Sequence, residues 1–253
     1  MGDLARTYWR LGKYVDAAKL EIKVLDMRNR LLGEDHPETM WAMSNLAITH
    51  LSLGKYADAE KLEIKALDMR KRLLGEDHLY TISSMANLAN TYQSLGKYGD
   101  AEKLQIKVLD MRNRLLGEDH PHTIWAMANL ASTYASREKY ADAEKLQIKV
   151  LDMRNRLLGE EHPDTIHTMG SLAYTYRNLG QYAVAEELEI KVLNMRNRLL
   201  GEDHPHTIWA MGNLASTYGS LEKYADAEKL EIKVLDMRKT SWRRSPKYNL
   251  GHG

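Results

Sequence analysis

The chain has 253 residues, with 36 Lys and Arg against 35 Asp and Glu, a formal charge of +1, and no cysteine. A near-neutral balance offers no general attraction for a polyanion, so no nucleic-acid partner is expected, and the missing cysteine excludes disulfide frameworks, thiol nucleophiles and cysteine-bound metals. No stretch approaches the roughly eighteen apolar residues of a membrane helix and no signal-peptide pattern opens the chain, so a soluble, cytoplasmic protein with no membrane partner is expected.

Gly33, Gly75, Gly117, Gly159 and Gly201 stand forty-two residues apart, and the text around them realigns without a gap. A fixed period of this length is the mark of a repeat architecture. The period divides the chain into a partial repeat at 1–33, whole repeats at 34–75, 76–117, 118–159 and 160–201, and a shortened repeat at 202–239, followed by a C-terminal tail at 240–253. Met1 falls inside what would be the first helix of a repeat, so the opening repeat lacks half of that helix.

Each repeat reads as two helices. In 34–75, Met40, Met43, Leu46, Ala47, His50 and Leu53 recur at steps of three and four, which lines one face of a first helix, A. Ala59, Leu62, Ala66, Met69 and Leu73 do the same for a second helix, B, predicted from Tyr56 to Leu74. Opposite them Asp58, Lys61, Lys65, Asp68 and Arg72 alternate in sign and form a solvated face. The segment LLGEDHPHTIWAM at 115–127 gathers two histidines and two acids, but His122 becomes Glu38, Tyr80 and Asp164 in sister repeats, and an incomplete ligand set holds no metal. It is read as a joint: Gly117 ends one helix, Asp119 or His120 caps the next, and Pro121 suits its first turn. Leu79 replaces the proline in one repeat, and a looser joint is expected there.

Leu46, Ala47, the tyrosine that stands at position 50 of the other repeats, Gly54-Lys55-Tyr56, Ala59 and Ala66 resemble the signature of tetratricopeptide repeats. The forty-two-residue wording LGEDHPxT, NLAxTY and GKYADAEKL resembles the kinesin-light-chain type of this repeat, including near-identical arrays in fungal and bacterial proteins. The resemblance implies an all-α solenoid of stacked antiparallel helix pairs wound into a right-handed superhelix, used as a binding scaffold whose ligand varies. There are departures: Glu63 or Gln105 stands where helix B usually carries a large residue, and Glu138 and Glu222 replace the glycine of the turn between helices. Because positive φ strains a residue with a Cβ, that turn is expected to avoid it.

The resemblance places one face of helix A on a concave groove, and there the residues vary between repeats. The groove candidates are Trp41, Asn45 and Ile48; Asn87 and Asn90; Trp125, Asn129 and Ser132; His167, Tyr174 and Arg177; and Trp209, Asn213 and Ser216. One reading is a ladder of aromatic anchors flanked by amides that hold a peptide backbone. The other, which stacking slightly favours, is that each tryptophan is buried against the neighbouring repeat. Position 44 and its equivalents are Ser, Ala or Gly, so the basic clamp that grips a terminal carboxylate in some relatives is not expected, and Arg177 is the main basic candidate.

Glu63 and Arg70 fall by helical angle within the apolar sector of helix B and stand too far apart to pair along one helix. They are expected to pair between repeats or with helix A as a polar ladder, with Gln105 and Arg112, Gln147 and Arg154, and Glu189 and Arg196 as its further rungs. The acid-to-Gln exchange suits a structural hydrogen bond and not a general acid–base pair. With no phosphate loop and no nucleophile beside a fixed base, neither enzyme activity nor a cofactor is expected. The reading is a non-catalytic scaffold for a protein or peptide ligand; the alternative is a homo-oligomer that stacks end to end through terminal repeats without polar outer faces. The tail TSWRRSPKYNLGHG is expected to be irregular.

Overall fold

A computed structural model describes the backbone of residues 1–244 and the side chains of 1–239. Twelve helices and no strand are found among the described residues. They form two compact units, one spanning residues 1–133 and the other beginning at Tyr134. The first holds α1 (Gly2–Arg10), α2 (Tyr14–Leu32), α3 (Pro37–Ser52), α4 (Tyr56–Leu74), α5 (Leu79–Ser94), α6 (Tyr98–Leu116) and most of α7 (Pro121–Ser136). The second holds α8 (Tyr140–Leu158), α9 (Pro163–Asn178), α10 (Tyr182–Leu200), α11 (Pro205–Ser220) and α12 (Tyr224–Arg244). From α1 to α6, and again from α8 to α12, each helix packs on the next in the chain, as in a solenoid.

Helix A is short and helix B long, as the periodicity predicts, and α4 has the predicted bounds. The Met/Leu stripe forms the core: Met40 and Met43 of α3 pack with Ala66 and Met69 of α4, and Ile166 and Met169 of α9 pack with Val192 and Met195 of α10. Leu73 departs from the expected stripe; it sits in the last turn of α4 and is exposed. Helix α12 keeps regular backbone to Arg244, five residues into the segment expected to be an irregular tail, and 245–253 lie outside the described residues.

The joint between repeats is built as a joint. Gly117 ends α6 with φ 84° and ψ 167°, a region essentially closed to residues with a Cβ. The buried hydroxyls of Thr39, Thr81, Thr165 and Thr207 each donate to the carbonyl of the glycine six residues earlier. The cap is the histidine: Nδ1 of His36, His78, His120, His162 and His204 accepts from the backbone N–H two residues on, at 3.1–3.2 Å. The same geometry holds at Leu79, so the missing proline does not loosen that joint. Acids of the joint reach the next long helix, where Glu34 meets Lys65 at 2.8 Å, Asp35 meets Arg72 at 3.0 Å and Glu76 meets Lys107 at 2.6 Å.

The turn inside each repeat corrects one expectation. Glu138 and Glu222 do adopt positive φ, 59° and 60°, close to Gly54 at 71° and Gly96 at 72°. The turn cannot avoid the left-handed region because two bonds close on it: Glu138 N–H donates to Ala135 O at 3.0 Å, and Lys139 N–H donates to Tyr134 O at 2.9 Å. This is the Schellman pattern, which needs a left-handed residue just past the helix end whatever its side chain.

Candidate functional site

The varying face of helix A is open to solvent at its tryptophans. Trp41 is 45% exposed, Trp125 38% and Trp209 47%, so none of the three is fully buried against the neighbouring repeat. The reason is an arginine one helix earlier. Arg28 of α2 lies 5.5 Å from the Trp41 ring centroid, Arg112 of α6 lies 5.6 Å from that of Trp125, and Arg196 of α10 lies 5.4 Å from that of Trp209. Each guanidinium fills the space behind the indole and leaves part of the ring to solvent, a cation–π arrangement.

The arginines are fixed from a second side. Arg28 donates to Glu38 O at 2.9 Å, Arg112 to His122 O at 2.9 Å, Arg154 to Asp164 O at 2.9 Å and Arg196 to His206 O at 3.0 Å. Every acceptor lies in the first turn of the next helix A. Arg154 also donates to the Thr168 hydroxyl at 2.6 Å, and Arg70 donates to the Ser84 hydroxyl. Arg112, Arg154 and Arg196 are buried, and burial lowers their pKa from the usual arginine range. In the two other repeats Ser83 and His167 take the tryptophan's place, and the pKa of His167 is lowered by burial and then by Arg154 and Arg196.

The acid side of the predicted ladder goes elsewhere. Glu63 is buried and accepts from the hydroxyl of Thr91 on α5, and burial pushes its carboxyl up to about 7. Glu189 is raised for the same reason, opposed by a hydrogen bond from Thr217 and by Arg177. Gln105 and Gln147 are buried at the equivalent places. Glu63 and Arg70 therefore both reach helix A of the next repeat but do not meet each other. The threonine partners escaped sequence reading, although Thr49, Thr91, Thr133, Thr175 and Thr217 recur with the period.

In the first compact unit, Trp41, Asn45 and Ile48 share a face of α3, and a cavity of about 200 Å³ beside them is also lined by Arg6, Trp9 and Glu21. Trp9, at the end of α1, was not among the sequence candidates. Asn129 donates from its amide to Asn90 Oδ1 at 3.2 Å, which ties α7 to α5, and Gln93 donates to the Ser132 hydroxyl at 3.4 Å. Asn87 is half-buried on the same face. These amides hold neighbouring helices together. In the second unit, Tyr174 and Ser216 are exposed and Asn213 half-buried. Arg177 is not a free groove cation: it donates to Asn213 O at 3.0 Å, contacts Glu189 at 3.5 Å and stacks 5.5 Å from the Tyr174 centroid.

Among the described residues no three His, Asp or Glu side chains are grouped to hold a metal, and no helix is long and apolar enough to cross a membrane.

The tetratricopeptide repeat family model matches residues 1–72, 64–113, 82–154, 127–198 and 172–240. No curated protein matches the chain. Among solved structures, the chain is similar to the nearly identical TPR-like repeats of a kinesin-light-chain-like protein from Podosopora anserina, with 24% identity over 83% of this chain and 99% of that one and a TM-score of 0.69. It is similar to BtubC (BKLC) from P. vanneervenii, with 19% identity over 92% and 93% of the two chains and a TM-score of 0.73. A Rap protein complexed with competence and sporulation factor shares the fold at 12% identity over 96% of this chain and 75% of that one, with a TM-score of 0.64. Repeats of this kind generally mediate protein–protein interactions. With successive model matches spanning residues 1–240 and the helix pairs that the period requires, the chain belongs to the tetratricopeptide repeat family.

Proposed function

We propose that the chain is a non-catalytic scaffold that presents the helix-A face to a protein or peptide ligand. The observation that carries this reading is the state of Trp41, Trp125 and Trp209: each is exposed over a large part of its surface yet held from behind by a fixed arginine. An aromatic side chain pre-ordered in this way loses little further freedom on binding, which is what makes such residues effective anchors. Large, half-exposed rings contribute less to the fold than buried ones would, so their recurrence favours a surface role. The Rap neighbour, whose structure holds competence and sporulation factor, gives one precedent for ligand capture by this fold.

A random peptide library displayed on phage and panned against the chain tests the reading. Recovered peptides should bind at least tenfold more weakly to Trp41→Ala, Trp125→Ala or Trp209→Ala and should be indifferent to Ile64→Ala, an exposed residue of helix B. Binders that ignore all three tryptophans would sink the proposal.

A further inference from the structure

Helix A carries two kinds of residue pair at the place of the anchor tryptophans. Trp41, Trp125 and Trp209 are each followed by alanine, whereas Ser83 and His167 are followed by Ser84 and Thr168. The change is matched one helix earlier. Arg112 and Arg196 stack on indoles, but Arg70 donates to the Ser84 hydroxyl and Arg154 donates from Nη1 to the Thr168 hydroxyl at 2.6 Å. A hydroxyl that accepts from the arginine thus stands in for the stacked ring, and the guanidinium is held without an indole over it.

In the second compact unit this leaves positive charge unanswered. Arg154 and Arg196 are 7% and 6% exposed. Among the described residues neither is paired with a carboxylate: Arg154 uses Nη1 for the Asp164 carbonyl and the Thr168 hydroxyl, and Arg196 uses Nη1 for the His206 carbonyl. Nη2 of Arg196 lies against α9, 3.9 Å from the place a Cβ would take on Gly170. Gly170 stands three residues from His167, so the two share a face of α9 and the missing Cβ keeps that face open. His167 reaches solvent there, and its pKa is lowered first by burial, then by Arg154 and Arg196, with Asp164 opposing and His206 adding to the effect. Asp164 is the one acid set against these cations, and its carboxylate stands 3.9 Å from Nδ1 of His162. Buried charges without a counter-charge are costly, and fixed guanidiniums in that state favour an anion.

We infer that Arg154, His167, Arg196 and His206 form a seat for a phosphoryl group carried by the protein or peptide ligand of the helix-A face. The two guanidiniums make its floor and the two imidazoles, both on exposed residues, its rim. A carboxylate would answer only one of the two guanidiniums. A phosphate monoester brings close to two negative charges and three acceptor oxygens, enough for both guanidiniums and for one N–H of each neutral imidazole. This rests on the reading of helix A as the ligand face and adds the chemistry of one ligand side chain.

Titration of the chain with N-acetyl-O-phosphoserine amide, followed by the imidazole resonances of His167 and His206, tests the inference, with N-acetylglutamate amide at equal ionic strength as the comparison. Both resonances should shift and saturate with the phosphoserine probe, at a concentration roughly tenfold below that needed with glutamate. The double variant His167→Trp with Thr168→Ala installs the pair found in three other repeats, so it should keep the helical circular dichroism while the His206 response weakens at least as much. His167→Ser, the residue at the equivalent Ser83, should weaken it severalfold and serves if the double variant disturbs the fold. Resonances that do not move, a glutamate probe that binds as tightly, or variants that bind as well as the parent would each overturn the phosphoryl seat. The probe has no aromatic group, so its result is read apart from peptide capture: peptides that depend on Trp41 and Trp125 beside an unmoved His167 would keep the ligand face and remove only the seat.

Discussion

Arg196 and Trp209 act as one structural piece: the guanidinium lies 5.4 Å from the indole centroid while its Nη1 donates to the carbonyl of His206 at 3.0 Å. One side chain thus pins the first turn of α11 and fixes the ring that the turn presents. The planar guanidinium does both because it can stack through its face and donate through its edge.

Arg196→Lys should therefore lose more than a charge-conserving change suggests. An ammonium keeps the charge but cannot stack flat and hold the His206 carbonyl together, so a loss of about 1–2 kcal/mol is expected. Urea unfolding followed by circular dichroism would show it, and the Trp209 emission should shift to longer wavelength as the ring loosens. A variant of parental stability would mean that the stack contributes nothing.

Glu63 gives the chain a pH dependence of definite sign. Its carboxyl in the fold is raised to about 7 by burial, so between the unfolded carboxyl range near 4.5 and pH 7 the native state holds a proton that the unfolded state releases. Its contribution is fully present below about pH 4.5 and is lost as the pH rises to 7, by an amount on the order of 3 kcal/mol. Glu63→Gln should remove that slope: the variant should match the parent near pH 4 and exceed it at pH 8. Glutamine already occupies this place at Gln105 and Gln147, so the site accepts it sterically. Unfolding curves of both proteins at pH 4, 6 and 8 decide the matter, and parallel pH profiles would refute it.

How much of this was legible in the sequence depends on whether the period or the third dimension decided it. The bounds of α4 and the joint at Gly117 could be read, because the same letters recur where the backbone must break. The exposure of Trp125 could not, because it depends on Arg112 arriving from another helix to occupy the space behind the ring. Helical angle placed Glu63 in the apolar sector but could not name Thr91 as its partner, since the angle does not say which side chain the next helix A brings to it. The tail beyond Arg244 lies outside the described residues, and its reading rests on sequence alone.

Gly117→Ala tests the joint. Nothing stands within 4 Å of a Cβ added there, so any cost is backbone strain and not a clash. At φ 84° and ψ 167° that strain should be on the order of 2–3 kcal/mol. The loss should appear as an earlier thermal transition, whereas Gly99→Ala, inside α6, has equally open space and an ordinary helical backbone and should be neutral or stabilising by about 1 kcal/mol. Equal effects at the two glycines would remove the conformational account of the joint.

Glu138 and Glu222 offer the reverse experiment. Both hold left-handed φ, 59° and 60°, in a turn whose other copies carry glycine, and a left-handed residue with a Cβ costs roughly 1–2 kcal/mol. Glycine at either place relieves that cost but adds freedom to the unfolded chain, worth about 0.4–1 kcal/mol in the other direction. The balance favours the fold by about 0.5–1 kcal/mol for Glu138→Gly, and by a similar amount for Glu222→Gly, since the Schellman bonds that force the conformation are present at both. The two turns belong to different repeats, two periods apart, so the double variant should show nearly the sum in its urea midpoint. Gly54→Ala, which imposes the same strain on a glycine copy of the turn, should move the midpoint the other way. If glycine at 138 and 222 destabilises, the glutamates are compensated by contacts that outweigh their backbone strain.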